Sequence, residues 1–137
     1  MTALLLSGLR VSAGFLLGTM LSWGLGQWLQ DALAPHVPRP SVNDPAAVAD
    51  FLAQLTPSAH AGRLFAMGLG MALGTFVVRR WPGNRPHEAW ALTLLFGAGA
   101  VFDVFRVDHG PALSICTIAL VLPSCWMGLR GGSLQRH

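Results

Sequence analysis

Four stretches of this chain are apolar over the length that a bilayer demands, and this restricts the fold more than any other feature. A hydrocarbon core about 30 Å thick takes roughly 20 residues of helix. A chain inside it must satisfy every backbone N–H and C=O within itself. The pattern predicts spans at about 3–25 ("ALLLSGLRVSAGFLLGTMLSWGL"), 61–78 ("AGRLFAMGLGMALGTFVV"), 88–105 ("EAWALTLLFGAGAVFDVF") and 111–129 ("PALSICTIALVLPSCWMGL"). Composition agrees: of 137 residues, 53% are hydrophobic and 11% charged, against about 25% charged in a soluble domain. The expected fold class is therefore all-α, an integral membrane four-helix bundle forming one domain, with the lipid bilayer as its first partner.

Charge sets the expected orientation. All nine basic residues are arginine. With four spans, the N-terminus, the 79–87 loop and the C-terminus share one side, which holds Arg79, Arg80, Arg85, Arg130 and Arg136. The other side holds Arg39, Arg63 and Arg106 together with Asp31, Asp44, Asp50, Asp103 and Asp108. The arginine-rich side is expected to be cytoplasmic, so both termini face inward in a bacterial inner membrane. An arginine excess of this kind encodes orientation, and no nucleic-acid partner is expected. All five tryptophans (Trp23, Trp28, Trp81, Trp90 and Trp126) fall near span ends, where an amphipathic ring prefers to sit. The "ALA" at 32–34 resembles a signal-peptide cleavage site. The long Gly- and Trp-rich stretch before it and Pro35 after it argue for a retained span.

The candidate intramembrane polar or transport residues are Arg10, Asp103, Arg106, Asp108 and His109. Four of them lie in "FDVFRVDHGP", between two apolar runs, which reads as the external turn between spans three and four. Asp103 and Arg106 are spaced i,i+3, so they are expected to pair on one helix face. Ionisable groups at this depth often mark a functional site. His109 beside Asp108 suits titration near neutral pH, but two adjacent ligands make a weak metal signal, and no metal or cofactor is expected. Arg10 lies about 10 Å inside the cytoplasmic end. It is expected to snorkel to headgroups and to lie too far from Asp103 to pair with it.

Small residues at i+4 spacing predict close helix packing in lipid. Span one carries Gly14, Gly18, Ser22 and Gly26 in this register, and span two carries Gly62, Ala66, Gly70 and Gly74. Spans one and two should meet along these rows, within one chain or between chains. A milder polar stripe on span four (Ser114, Thr117, Val121, Ser124, Gly128) is expected to face other helices. Between spans one and two, Asp44–Pro45 forms a good helix start. The following "AAVADFLAQL" places Val48, Phe51, Leu52 and Leu55 on one face. A short amphipathic helix at about 45–55 in the first extracytoplasmic loop should lie on the membrane surface or cap the bundle. Cys116 and Cys125, nine residues apart on one helix, cannot bridge each other.

The run "NDPAAVADFLAQLTPSAHAGRLFAMGLGMALGTFVVRR", with the later "DHGP" and "LPSCWMGLRGG", resembles a group of small uncharacterised bacterial four-helix inner-membrane proteins. Their shared features are a DP-initiated helix in the first external loop, a glycine-rich second span ending in basic residues, and a proline–glycine pattern late in span four. The group often carries an acidic residue late in span one, where this chain reads "SWGLGQWLQ". The resemblance implies a fold and a membrane location, and no activity.

No CxxC, HExxH, GxSxG, P-loop or dinucleotide fingerprint occurs, so the sequence carries no recognised catalytic chemistry. Three classes of function remain. The foremost is a non-enzymatic accessory or structural subunit, packing on itself or on a larger membrane protein through the small-residue rows. The second is a small oligomeric channel or transporter. The third is a membrane enzyme or binder of lipid-like ligands, with the external helix as a lid.

Overall fold

The computed structural model describes residues 2–41, 43–107 and 110–133. Among these residues the chain is all-helical: α1 Thr2–Leu33, α2 Pro45–Gln54, α3 Pro57–Arg80, α4 Pro86–Arg106 and α5 Gly110–Ser133. Helices α1, α3, α4 and α5 are long and apolar enough to cross a membrane. They run alternately up and down, so the start of α1, the α3–α4 loop and the end of α5 share one end, here the terminal end. Helix α2 and the α4–α5 turn lie at the other, the α2 end.

Helix boundaries follow local chemistry. Asp44 caps α2 by accepting from Ala46 N at 3.0 Å and Ala47 N at 3.2 Å, with Pro45 in the first turn. Thr56 caps α3 by accepting from Ala59 N at 3.4 Å, and Pro57 follows it. That cap starts α3 four residues before the apolar stretch expected at 61. Helix α1 outlasts its expected end at 25, because "GQWLQDAL" holds no proline and, after Gly26, no further glycine before Pro35. At about 48 Å by helical rise, α1 exceeds the hydrocarbon thickness and extends into the α2 end.

Helix α3 is central and packs against α1, α4 and α5. Along α1 the contact is backbone to backbone. A Cβ built on Gly18 would lie 2.8 Å from Gly70 O and 2.6 Å from Phe96 Cζ. One built on Gly74 would lie 2.5 Å from Gly14 O, and no real Cβ sits so close. Further towards the α2 end, Gly26 faces Ala66 at 3.8 Å and Gly62 packs on Leu29 and Leu33. Ser22 ties the seam by donating from Oγ to Gly18 O at 2.8 Å and Met67 O at 3.4 Å. On the opposite side of α3, Gly68 meets Ser124 and Gly128 lies against Ala72 and Thr75. Thr117, Val121 and Ser124 of the α5 stripe are buried there.

Two apolar clusters result. Met71, Val78, Leu92, Phe96, Ala100, Val121 and Cys125 fill the bundle centre. Phe51, Leu52 and Leu55 join Ala34, Ala59 and Val107 at the α2 end, so α2 caps the bundle. Cys116 is exposed, Cys125 is buried, and both are free thiols.

Candidate functional site: an arginine-lined chamber beneath α2

The ion-paired side chains gather at the two ends, with the central cluster between them. At the α2 end, α2 and the segment before it roof a chamber of about 500 Å³. Its lining comes from five parts of the chain. Trp23, Gln27 and Gln30 come from α1, and Arg39 and Pro40 from the connection. Val48, Phe51 and Leu52 of α2 form the roof, and Arg63 of α3 with Asp103 and Arg106 of α4 complete the wall.

Asp103 pairs with Arg63, Nη2 to Oδ2 at 3.3 Å, and both side chains remain partly exposed. This corrects the expected pairing with Arg106: no Asp103–Arg106 ion pair is found among the described residues. Asp103 accepts a cation from the neighbouring helix instead. Arg106 ends α4 as an exposed residue, where the negative end of the helix dipole and water favour a guanidinium. Arg39 pairs with Asp31 on α1 and also donates to Gln27 O at 3.4 Å. Gln27 Oε1 is buried and has no hydrogen-bond partner among the described residues. Asp108 and His109 lie outside the described residues.

At the terminal end, Arg10 is not a snorkelling cation, which is a second correction. Its Nη1 lies 3.2 Å from Glu88 Oε1 and donates to Gly83 O at 2.7 Å. Ser7 Oγ donates to the same carboxylate oxygen at 2.6 Å. The Glu88 side chain is 1% exposed and that of Arg10 14%. Glu88 stands in the first turn of α4, where the helix dipole favours a carboxylate; pairing with a cation from α1 adds to that. Glu88 Oε2 and Arg10 Nε are buried without partners among the described residues. One sequence signal pointed to this pair: Glu88 is the only acidic residue on the arginine-rich side, and Arg10 is the only charge within span one.

The two ion-paired centres are not connected. Arg10 and Asp103 occupy opposite ends, and Leu92, Phe96 and Val78 fill the space between. Phe15 packs on Phe96 with ring centroids 5.4 Å apart, closing the α1 side. The buried hydroxyls of Thr75 and Thr93 bond to their own helices, to Met71 O at 2.7 Å and Ala89 O at 3.0 Å, and lie beside the Cys125 thiol; no charged group among the described residues joins them. Among the described residues no three His, Cys, Asp or Glu side chains come close enough to hold a metal ion. No protein-family model matches the chain, and neither the curated proteins nor the solved structures contain a match.

Proposed function

We propose that this chain is a non-enzymatic multi-pass protein of a bacterial inner membrane, with cytoplasmic termini, that binds an anionic amphiphile in the chamber beneath α2. It would stand among the small bacterial four-helix membrane proteins that its motifs resemble. One observation carries the reading: Arg39, Arg63 and Arg106, from three separate segments, converge on one space, and among the described residues only two carboxylates pair with them, Asp31 with Arg39 and Asp103 with Arg63. Trp23, Val48, Phe51 and Leu52 supply apolar wall, beside the amides of Gln27 and Gln30. A cationic rim over apolar walls suits a ligand with a charged head and a hydrocarbon body. No Ser, Cys or His lies among the described lining residues, which favours binding over covalent chemistry.

The subunit reading loses its main support, because the glycine rows that suggested assembly face each other within one chain. The channel reading would need a wet path between chains, since the centre of this bundle is apolar.

The test uses decyl phosphate as probe and decanol as its neutral counterpart, with the protein in zwitterionic nanodiscs. In a Cys116→Ser/Cys125→Ala background, Val48→Cys reports on the chamber through its rate of thiol labelling. Decyl phosphate should slow labelling, and Arg63→Gln/Arg106→Gln should raise the concentration required about tenfold, equivalent to some 1.4 kcal/mol. Equal protection by decanol would remove the anionic ligand from the proposal.

A further inference from the structure

A second groove lies at the terminal end, between α4 and α5, away from the chamber. Its deeper part, about 340 Å³, is walled by Trp90 and Thr93 of α4 and by Leu122, Pro123, Trp126 and Leu129 of α5. A shallower part of about 240 Å³ shares Trp90, Trp126 and Leu129 with it and adds Arg79 and Arg130. The two therefore form one trough, apolar along its length and cationic at its outer end. From Leu122 to Arg130 it covers about 12 Å of α5 by helical rise. Leu122 is 67% exposed, Trp90 58% and Trp126 52%, so the trough opens on the flank of the bundle, between two helices long and apolar enough to cross a membrane.

Both arginines are fixed in place. The stem of Arg79 lies against α5 at Gly132, where an added Cβ would be 2.6 Å from Arg79 Cγ. The guanidinium of Arg130 stacks over Trp126, 4.1 Å from the ring centroid, a cation–π contact. No carboxylate lines either part of the trough among the described residues. Glu88, the nearest acid in sequence, is turned away to Ser7 and Arg10 of α1. Two guanidiniums at the outer end of an apolar slot on the flank of membrane-length helices suit a phosphate head on an acyl chain.

We infer that the α4–α5 groove is a binding site for an anionic phospholipid of the leaflet at the terminal end, with its phosphate held by Arg79 and Arg130 and an acyl chain lying along Leu122 and Pro123. The site is independent of the chamber beneath α2. The competing account is that these arginines only orient the protein, in which case they would attract no particular lipid molecule.

Tryptophan quenching by brominated lipids separates the two accounts. In a variant retaining Trp126 alone (Trp23, Trp28, Trp81 and Trp90→Phe), phosphatidylcholine bilayers would carry the same small fraction of brominated phosphatidylglycerol or brominated phosphatidylcholine. The anionic lipid should quench Trp126 severalfold more than the neutral one. Arg79→Gln/Arg130→Gln should bring that ratio to about one. Taking the ratio cancels any change that the substitutions make to Trp126 emission itself. Equal quenching by the two lipids in the parent variant overturns the site. So does a preference that survives loss of both arginines. The parent comparison stands even if the double variant fails to fold.

Discussion

Glu88 and Arg10 show what one buried charge asks of its surroundings. A carboxylate that is 1% exposed is tolerable only beside a cation and hydrogen-bond donors. Arg10 and Ser7 of α1 supply both. Arg10→Met should therefore lower stability by on the order of 3 kcal/mol, because it leaves that charge unpaired. Adding Glu88→Leu should recover most of the loss, since an apolar pair of similar volume is often as stable as the ion pair. Unfolding of both variants in one detergent measures this; a double variant weaker than Arg10→Met alone contradicts the pairing. Asp103 makes a gentler case, because its side chain is 43% exposed and that of Arg63 36%. A double-mutant cycle of Asp103→Asn with Arg63→Gln should give a coupling of about 0.5–1 kcal/mol, typical of partly solvated pairs. The same cycle with Arg106→Gln should be additive within about 0.5 kcal/mol. The reverse ranking would restore the i,i+3 pair.

At the scale of elements, α1 is held to α3 by the near absence of side chains between them. Without a hydrophobic drive between helices in lipid, close backbone packing is what associates them. Gly70 and Gly99 offer a test in which the sign differs. A Cβ at Gly70 would run into Gly18 O and Ser22 of α1, whereas nothing lies within 4 Å of one at Gly99. Gly70→Ala should destabilise by about 1–3 kcal/mol through overpacking. Gly99→Ala should be neutral or stabilising by up to about 1 kcal/mol, the helix preference of alanine over glycine. Melting temperatures of the two variants decide it, and equal shifts would deny the α1–α3 seam its special role. At the other contact, α2 depends on its cap. Asp44→Ala should cost about 1 kcal/mol and speed amide exchange over 45–54 ahead of the four long helices.

At the scale of the whole molecule, the two ends differ in how their charge is balanced. At the α2 end, Arg39 and Arg63 are matched by Asp31 and Asp103. At the terminal end the sequence places Arg79, Arg80, Arg85, Arg130 and Arg136 with one acidic side chain, Glu88, which Arg10 engages. That asymmetry underlies the proposed orientation. In a background without native cysteines, Val48→Cys should react with an impermeant thiol reagent in intact cells and His87→Cys should not. His87 is exposed and helical. Its neighbour Gly83 has a φ of 70°, a backbone state that a cysteine would strain. Labelling of position 87 from outside would invert the topology.

The amino-acid sequence by itself determined that the chain is an all-α bundle of four membrane-length helices, where α2 begins, and which faces of α1 and α3 carry small residues. These features are local: apolar length, an Asp–Pro helix start and an i+4 register are read from neighbours in the chain. Helix ends were less legible, since α1 runs on to Leu33 and α3 starts at Pro57 in polar segments that no apolar count would include. Partner choice was decided only by the tertiary structure. Arg63 lies 40 positions from Asp103 and Arg10 lies 78 from Glu88, and helix spacing alone favours the nearer Arg106 and the headgroups. A long arginine side chain reaches whichever acid the packed neighbouring helix brings to its depth, and that depends on the rotation of each helix about its axis. The same holds for the chamber, because convergence of Arg39, Arg63 and Arg106 requires α2 to fold back over the bundle. The apolar contacts of Phe51, Leu52 and Val107 set that arrangement across the whole fold.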